Sequence, residues 1–189
     1  MLFLLFGFGF LIIIVVLVRS TIQSAYLENY QFIDIVIAKF KEKHKNLTDA
    51  DIELVIKGLK NYFYISSRSS DIIILPSIVL DDLWHEFILY SKEYNSFCNE
   101  AFGRFLHHSP NDTKSFDVDM ARFLAWEESC KLEGLNPSTT SELPLIFKID
   151  ELLKIKNGLY YSVSKERYWY KRKYERLEKE RASNCASCG

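Results

Sequence analysis

Three of the four histidines of this chain lie between residues 76 and 110, next to acidic residues. Asp81 precedes His85 by four positions, and residues four apart lie on one face of an α-helix. His107 and His108 follow further along. Because imidazole nitrogens and carboxylate oxygens bind zinc, the pattern is compatible with a zinc-like site made by Asp81, His85 and one of the two later histidines.

Those later histidines can reach Asp81 only if the chain turns back after the helix. Gly103 is a natural helix C-cap, because glycine adopts the left-handed conformation that ends many helices. The sequence does not decide whether the turn returns His107 or His108, so both stay candidate ligands.

Cys98 has the chemistry of a ligand or a nucleophile, but its spacing separates it from His85. On one continuous helix, thirteen residues at about 100° each place it about 140° round from His85. The two side chains are therefore not expected to bind one ion or to form a catalytic pair. Cys130 has no activating group nearby in sequence, and no phosphate loop or nucleophile elbow occurs. The sequence leans against an enzyme and assigns no catalytic residue.

The same residues have a structural interpretation, which the sequence favours. Asp81 would orient the His85 ring, Trp84 would pack in the core, and the His107–His108 pair would bridge helix ends, since buried polar groups need partners. Under this interpretation the chain is an interaction or structural module. The zinc-like site is the alternative.

Composition narrows the class of protein. Net charge is −1, which gives no general attraction for nucleic acid, and none is expected as a partner. Hydrophobic residues make up 48% of the chain, while glycine (7) and proline (4) are scarce, which favours long helices. Four cysteines are too scattered for a disulfide framework. Cys185 and Cys188 have a CxxC spacing, but without the second half of a zinc site they are interpreted as a disordered tail.

The N-terminal segment predicts a membrane anchor. Residues 2–18 carry no charged side chain, and as a helix they would span about 25 Å, at the short end for a bilayer core. No basic residue precedes the run, which disfavours a cleaved signal peptide. Arg19 and four lysines between residues 39 and 45 follow it, so the positive-inside rule predicts a single-pass protein with its C-terminal domain in the cytoplasm.

Apolar residues at helical spacing predict an all-α fold. It comprises an anchor at 1–19, a compact helical domain at 26–162, and a charged helix with the CxxC tail at 163–189. The expected helices are 28–45, one capped by Thr48 and ending before 65, a continuous helix from Ser77 to Gly103, one from Asn111–Asp112 to Gly134, 143–153, and 164–181.

The last of these helices carries eight Lys or Arg and four Glu. It is expected to dock through the aromatic side formed by Tyr168, Trp169 and Tyr174, and to protrude beyond Leu177. An alternative is electrostatic contact with anionic lipid or an acidic protein.

The ordered motifs in the middle of the chain resemble a known family. Asp81-x-x-Trp84-His85, then Tyr94-x-x-Phe97-Cys98, then the run GRFLHHSP at 103–110 is similar to the glycine-rich domain-containing protein-like family of bacteria and plants, a domain of unknown function. The similarity covers roughly residues 28–161. It implies a helical fold and no particular activity. Its structural signature here is Trp84, Tyr94, Cys98, Gly103 and Pro110.

Overall fold

The computed structural model describes the backbone of residues 2–108 and 117–186, and the side chains of residues 14–108 and 117–183. These ranges contain helices and no strand, so the all-α prediction is confirmed. The helices are α1 (Leu2–Asn29), α2 (Asp34–Lys43), α3 (Asp49–Arg68), α4 (Ile78–Leu89), α5 (Ser91–Phe102), α6 (Val118–Leu132), α7 (Leu145–Leu152) and α8 (Val163–Ala186).

The predicted continuous helix from Ser77 to Gly103 is wrong, because the chain breaks at Tyr90. This residue has φ −89° and ψ 63° and stands between α4 and α5. Its N–H donates to the Phe87 carbonyl, which closes the last turn of α4. Neither glycine nor proline marks the break, so the sequence contained no local signal for it.

Several other bounds differ from the predicted ones. Residues 28–29 belong to α1, so the helix expected at 28–45 begins only at Asp34. α3 continues through the expected loop after residue 64, because Ile65 and Ser66 are buried. The cap expected at Asn111–Asp112 lies outside the described residues, and Asp117 caps α6 by accepting from the Met120 N–H. The Thr48 cap is confirmed, with a full capping box to Asp51.

α3 is the central helix of the core, and it contacts α1, α4, α6 and α7. Gly58 makes the closest of these approaches possible, since a Cβ there would lie 2.9 Å from a methyl of Leu80 in α4 and 3.3 Å from one of Ile149 in α7. Aromatic side chains fill the space around α3, α4 and α5; they include Tyr30, Phe32, Phe63, Trp84, Phe87, Tyr94 and Phe97.

A buried carboxylate holds the start of α4. Asp150 of α7, 1% exposed, accepts hydrogen bonds from the Ser77 hydroxyl at 2.7 Å and from the backbone N–H groups of Ile78 at 2.8 Å and Val79 at 3.2 Å. The Leu159 N–H donates to it as well, at 2.8 Å. Negative charge at a helix N-terminus is favourable, and here it also satisfies the free N–H groups of the first turn.

α8 docks onto α6 through its first half. Glu166 is buried and receives two hydrogen bonds from Arg122, while Tyr170 stacks on Phe123 with ring centroids 4.8 Å apart. The docking aromatics are therefore Tyr170 and Trp169. Tyr168 and Tyr174, predicted to dock, are exposed. Every described side chain beyond Leu177 is exposed.

Within the part of the chain whose side chains are described, no helix has the length and apolar character needed to cross a membrane. Most of the apolar run at 2–18 lies outside that part. Its described end, residues 14–18, is exposed. The transmembrane anchor and the domain bounds at 19, 26 and 162 stay predictions.

Candidate functional site

Asp81 and His85 stand on α4, whose start is fixed by Asp150. As their spacing predicts, they share one face of the helix. The Asp81 Oδ2 atom lies 3.4 Å from Nδ1 of His85. The neighbouring Trp84 points into the core and is 4% exposed.

The chain after α5 turns back onto this face. Gly103 has φ +65° and its N–H donates to the Asn99 carbonyl, which ends α5 as expected. Tyr94 then holds the returning segment, since its hydroxyl donates to the Leu106 carbonyl and accepts from the Trp84 indole N–H at 3.1 Å. Burial raises the pKa of Tyr94, so the hydroxyl keeps the proton that it donates.

This turn delivers His108 to Asp81. Nε2 of His108 lies 2.7 Å from Oδ1 of Asp81, and the ring packs on Trp84 with centroids 4.2 Å apart. The His85 and His108 rings are 4.4 Å apart. One carboxylate thus bridges two imidazoles, with one oxygen facing each ring.

The three side chains form a compact group at the protein surface. One possible ligand atom from each of Asp81, His85 and His108 can be chosen so that all three lie within 4.8 Å of one another. The His85 side chain is 52% exposed, that of Asp81 33%, and that of His108 12%. A cation held here would keep a side open to solvent, because no other His, Cys, Asp or Glu in the described ranges joins the group.

The structure does not bring His107 into this group. Its side chain is exposed, and its ring lies against Phe105 with centroids 4.9 Å apart. Of the two candidate histidines, only His108 lies beside Asp81.

Cys98 is also separate from the group, although not for the reason expected from its spacing. Since the helix breaks at Tyr90, an angle counted along one helix does not apply. The thiol is fully buried, and burial raises its pKa despite a hydrogen bond from the backbone of Leu106. Burial also raises the pKa of Cys130, to about 12. Such thiols are poor nucleophiles and poor metal ligands.

The remaining predicted positions lie outside the described residues. Pro110 and Cys188 are not described, and neither is the side chain of Cys185. The signature residues Trp84, Tyr94, Cys98 and Gly103 all belong to the core or to the turn that places His108.

A second His–Asp contact was missed by sequence reasoning. Asp82, next to Asp81, faces α2, where its Oδ2 lies 2.9 Å from Nε2 of His44 and its Oδ1 pairs with Lys43. It joins the end of α2 to α4. The acidic pair Asp81–Asp82 was visible in the sequence, but nothing there indicated that the two carboxylates face different partners.

Comparison with protein families corrects the expected kinship. A family model described as UCP032817-like matches residues 22–187. The expected membership of the glycine-rich domain-containing protein-like family is therefore wrong. Comparisons with curated proteins and with solved structures give no match. The matched range covers the helical domain and most of the charged C-terminal helix, so the chain belongs to the UCP032817-like family.

Proposed function

We propose that this protein binds a zinc-like divalent metal ion through Asp81, His85 and His108. The observation that carries the proposal is the convergence of the three ligand atoms within 4.8 Å, although His108 belongs to a segment that follows a separate helix. A set of two imidazoles and one carboxylate with an open side resembles protein sites for zinc and for iron(II).

The contacts of Asp81 with the two histidines are compatible with this role. Nε2 of His108 lies 2.7 Å from Oδ1 of Asp81, and Nδ1 of His85 lies 3.4 Å from Oδ2. An ion binds only to ring nitrogens that carry no proton, so its affinity would weaken as the pH falls. The contact of His108 with Trp84 orients its ring before any ion arrives.

The competing function is that of a structural module in which Asp81 merely latches the returning segment to α4. One observation favours it: the short hydrogen bond between Asp81 and His108 satisfies both groups without an ion. The two functions differ in which substitutions they tolerate. A latch works with any hydrogen-bonding side chain, whereas a zinc-like site needs imidazole nitrogens.

We further propose that residues 2–18 anchor this domain in a membrane, with the domain on the cytoplasmic side. Residues 14–18 support this, because five consecutive exposed apolar side chains surround α1 there. The full chain should then stay with membranes during alkaline carbonate extraction, and removal of residues 2–18 should release it. Release of the full chain by carbonate would contradict the anchor.

The metal proposal is tested on the full chain in detergent micelles, freed of metal by a chelator and titrated with Zn²⁺ by calorimetry. We expect one ion per chain, with at least about a tenfold loss of affinity in His85→Gln and in His108→Gln. Both variants can still donate a hydrogen bond to Asp81. If they bind Zn²⁺ as well as the parent protein does, the three residues are only a latch.

Matched controls stand beside two of the three ligands in the sequence, Asp81 and His108. Asp82→Asn and His107→Gln change the same residue types one position away, at side chains that lie outside the group. Both should leave Zn²⁺ affinity unchanged. An equal loss in these controls would mean that Zn²⁺ binds elsewhere or nonspecifically.

A further inference from the structure

The end of α1 enters the helical domain alongside the end of α3, with the two helices antiparallel. Arg68, the last residue of α3, donates to the Ser24 hydroxyl at 3.2 Å, and Lys60 donates to the Glu28 carbonyl at 2.9 Å. The C-terminal end of α3 therefore faces the apolar run of α1, and any bilayer holding residues 2–18 would lie on this side of the domain.

Two further arginines meet at the same place from distant parts of the chain. Arg19 is the first residue after the apolar run, and its guanidinium lies so close against Gly103 that a Cβ there would overlap it. Arg104, which follows Gly103 in the sequence, donates to the Ser69 carbonyl just beyond the end of α3. We call Arg19, Arg68 and Arg104 the arginine collar; all three are exposed.

Among the residues that the structure describes, no ion pair neutralises the charges of the collar. None of the three guanidinium groups pairs with a carboxylate of the described residues. The nearest acid in sequence, Asp71, is exposed and follows Ser69 by two residues. A cluster of unpaired arginines favours an anionic partner.

Exposed apolar side chains lie among these charges. Ile72 is 55% exposed and Phe105 is 40% exposed, and each is close in sequence to a collar arginine. Val18, which precedes Arg19, is exposed as well. Basic groups mixed with exposed apolar side chains are typical of protein surfaces that lie in the headgroup region of a membrane.

We propose that the arginine collar binds acidic phospholipid headgroups of the leaflet into which α1 enters. The proposal rests on the proposed anchor, and it goes beyond it by assigning a lipid class and a binding surface. Guanidinium groups form paired hydrogen bonds with phosphate, and each basic residue near an acidic membrane contributes an attraction that falls off with salt. The collar would hold the domain against the membrane rather than at the end of a free tether.

The test uses the full chain in nanodiscs made either of phosphatidylcholine alone or of equal parts phosphatidylcholine and phosphatidylglycerol. Backbone hydrogen exchange is followed in residues 68–73 and 102–106. We expect exchange there to slow at least about fivefold in the acidic discs, and to recover in high salt.

The variant R19Q/R68Q/R104Q should lose this protection, while R19K/R68K/R104K should keep most of it. A control triple, R172Q/R176Q/K179Q, removes as many charges from α8 and should keep the protection in full.

The outcomes separate the anchor from the collar. A chain that does not enter the discs overturns both proposals. A chain that enters them but exchanges equally fast in both lipids overturns the collar alone. If the α8 triple variant loses as much protection as the collar triple, the lipid contact depends on the total charge or on α8. That result would also overturn the proposal for the collar.

Discussion

Asp81 and His108 are 27 positions apart in the sequence, yet Oδ1 of the first lies 2.7 Å from Nε2 of the second. The contact depends on the turn at Gly103 and on the hydrogen bond that the Tyr94 hydroxyl donates to the Leu106 carbonyl. The candidate metal site is therefore assembled by the core of the protein, and its properties should respond to changes in that core.

Tyr94→Phe should lower the Zn²⁺ affinity of the site, although Tyr94 is not one of the proposed ligands. The substitution removes the hydroxyl that links Leu106 to Trp84, so His108 loses its fixed position. We expect a loss of about 1–3 kcal/mol in the free energy of unfolding, measured in urea, because a partly buried carbonyl and a buried indole N–H lose their partner. Zn²⁺ affinity should fall as well. Tyr160→Phe, which removes a hydroxyl bonded to the Ile155 carbonyl in another part of the protein, should leave Zn²⁺ affinity as it was.

Asp150→Ala should be among the most destabilising single substitutions. Four donors lose their acceptor at once, including the first N–H groups of α4. The expected cost is about 3 kcal/mol or more in urea unfolding, whereas the exposed neighbour Glu151→Ala should cost less than about 0.5 kcal/mol. Comparable midpoints for the two variants would show that Asp150 does not hold α4.

The pair of Arg122 and the buried Glu166 should behave differently from pairs in which both side chains are exposed. Arg122→Ala leaves the Glu166 carboxylate buried without its two hydrogen bonds, and the expected cost is about 3 kcal/mol in chemical unfolding. The exposed pair of Arg176 and Glu180 lies on the outer part of α8. Arg176→Ala should change stability by less than about 1 kcal/mol. If the two substitutions cost the same, α8 is not docked through Arg122.

Stability should decline at alkaline pH. Burial raises the pKa of Cys130 to about 12 and, as the largest cause, that of Tyr161 to about 12. Both groups ionise to anions. Between the pKa that each group has in the unfolded chain and about pH 12, the unfolded chain has therefore lost a proton that the folded chain keeps. Their contribution is complete below the unfolded pKa, near pH 9 for the thiol, and is lost as the pH rises towards 12.

Cys130→Ala should make this decline shallower between pH 9 and 11 in urea unfolding followed by circular dichroism. The slope should change by at most about 1.4 kcal/mol per pH unit. Glu128→Ala, two residues away and nearer the surface, should leave the slope as it is. An unchanged slope in the cysteine variant would mean that the thiol is not shielded from water in the folded protein.

Local patterns predicted much of this molecule. Hydrophobic spacing indicated the helices, Thr48 and Gly103 marked helix ends, and the four-residue spacing of Asp81 and His85 put them on one face. These features depend on residues close together in the chain, where helix geometry alone decides the outcome.

Features that depend on distant contacts were not predicted. The break at Tyr90 has no local signal. The role of Asp150 at the start of α4, the contact of Asp82 with His44, and the meeting of Arg19 with Gly103 all join segments far apart in sequence. Tertiary packing decides such contacts. The local pattern of one sequence does not reveal which distant residues the packing brings together.

The break at Tyr90 has a thermodynamic consequence for the candidate site. Asp81 and His85 belong to α4, which contacts α2, α3, α5 and α7, whereas His108 follows α5, which contacts α1 and α4. The ligands thus belong to two halves of the domain, one on α4 and one after α5. An ion bound by all three would act as a cross-link between those halves, and at a hundredfold excess over its Kd it would raise the free energy of unfolding by about 2.7 kcal/mol.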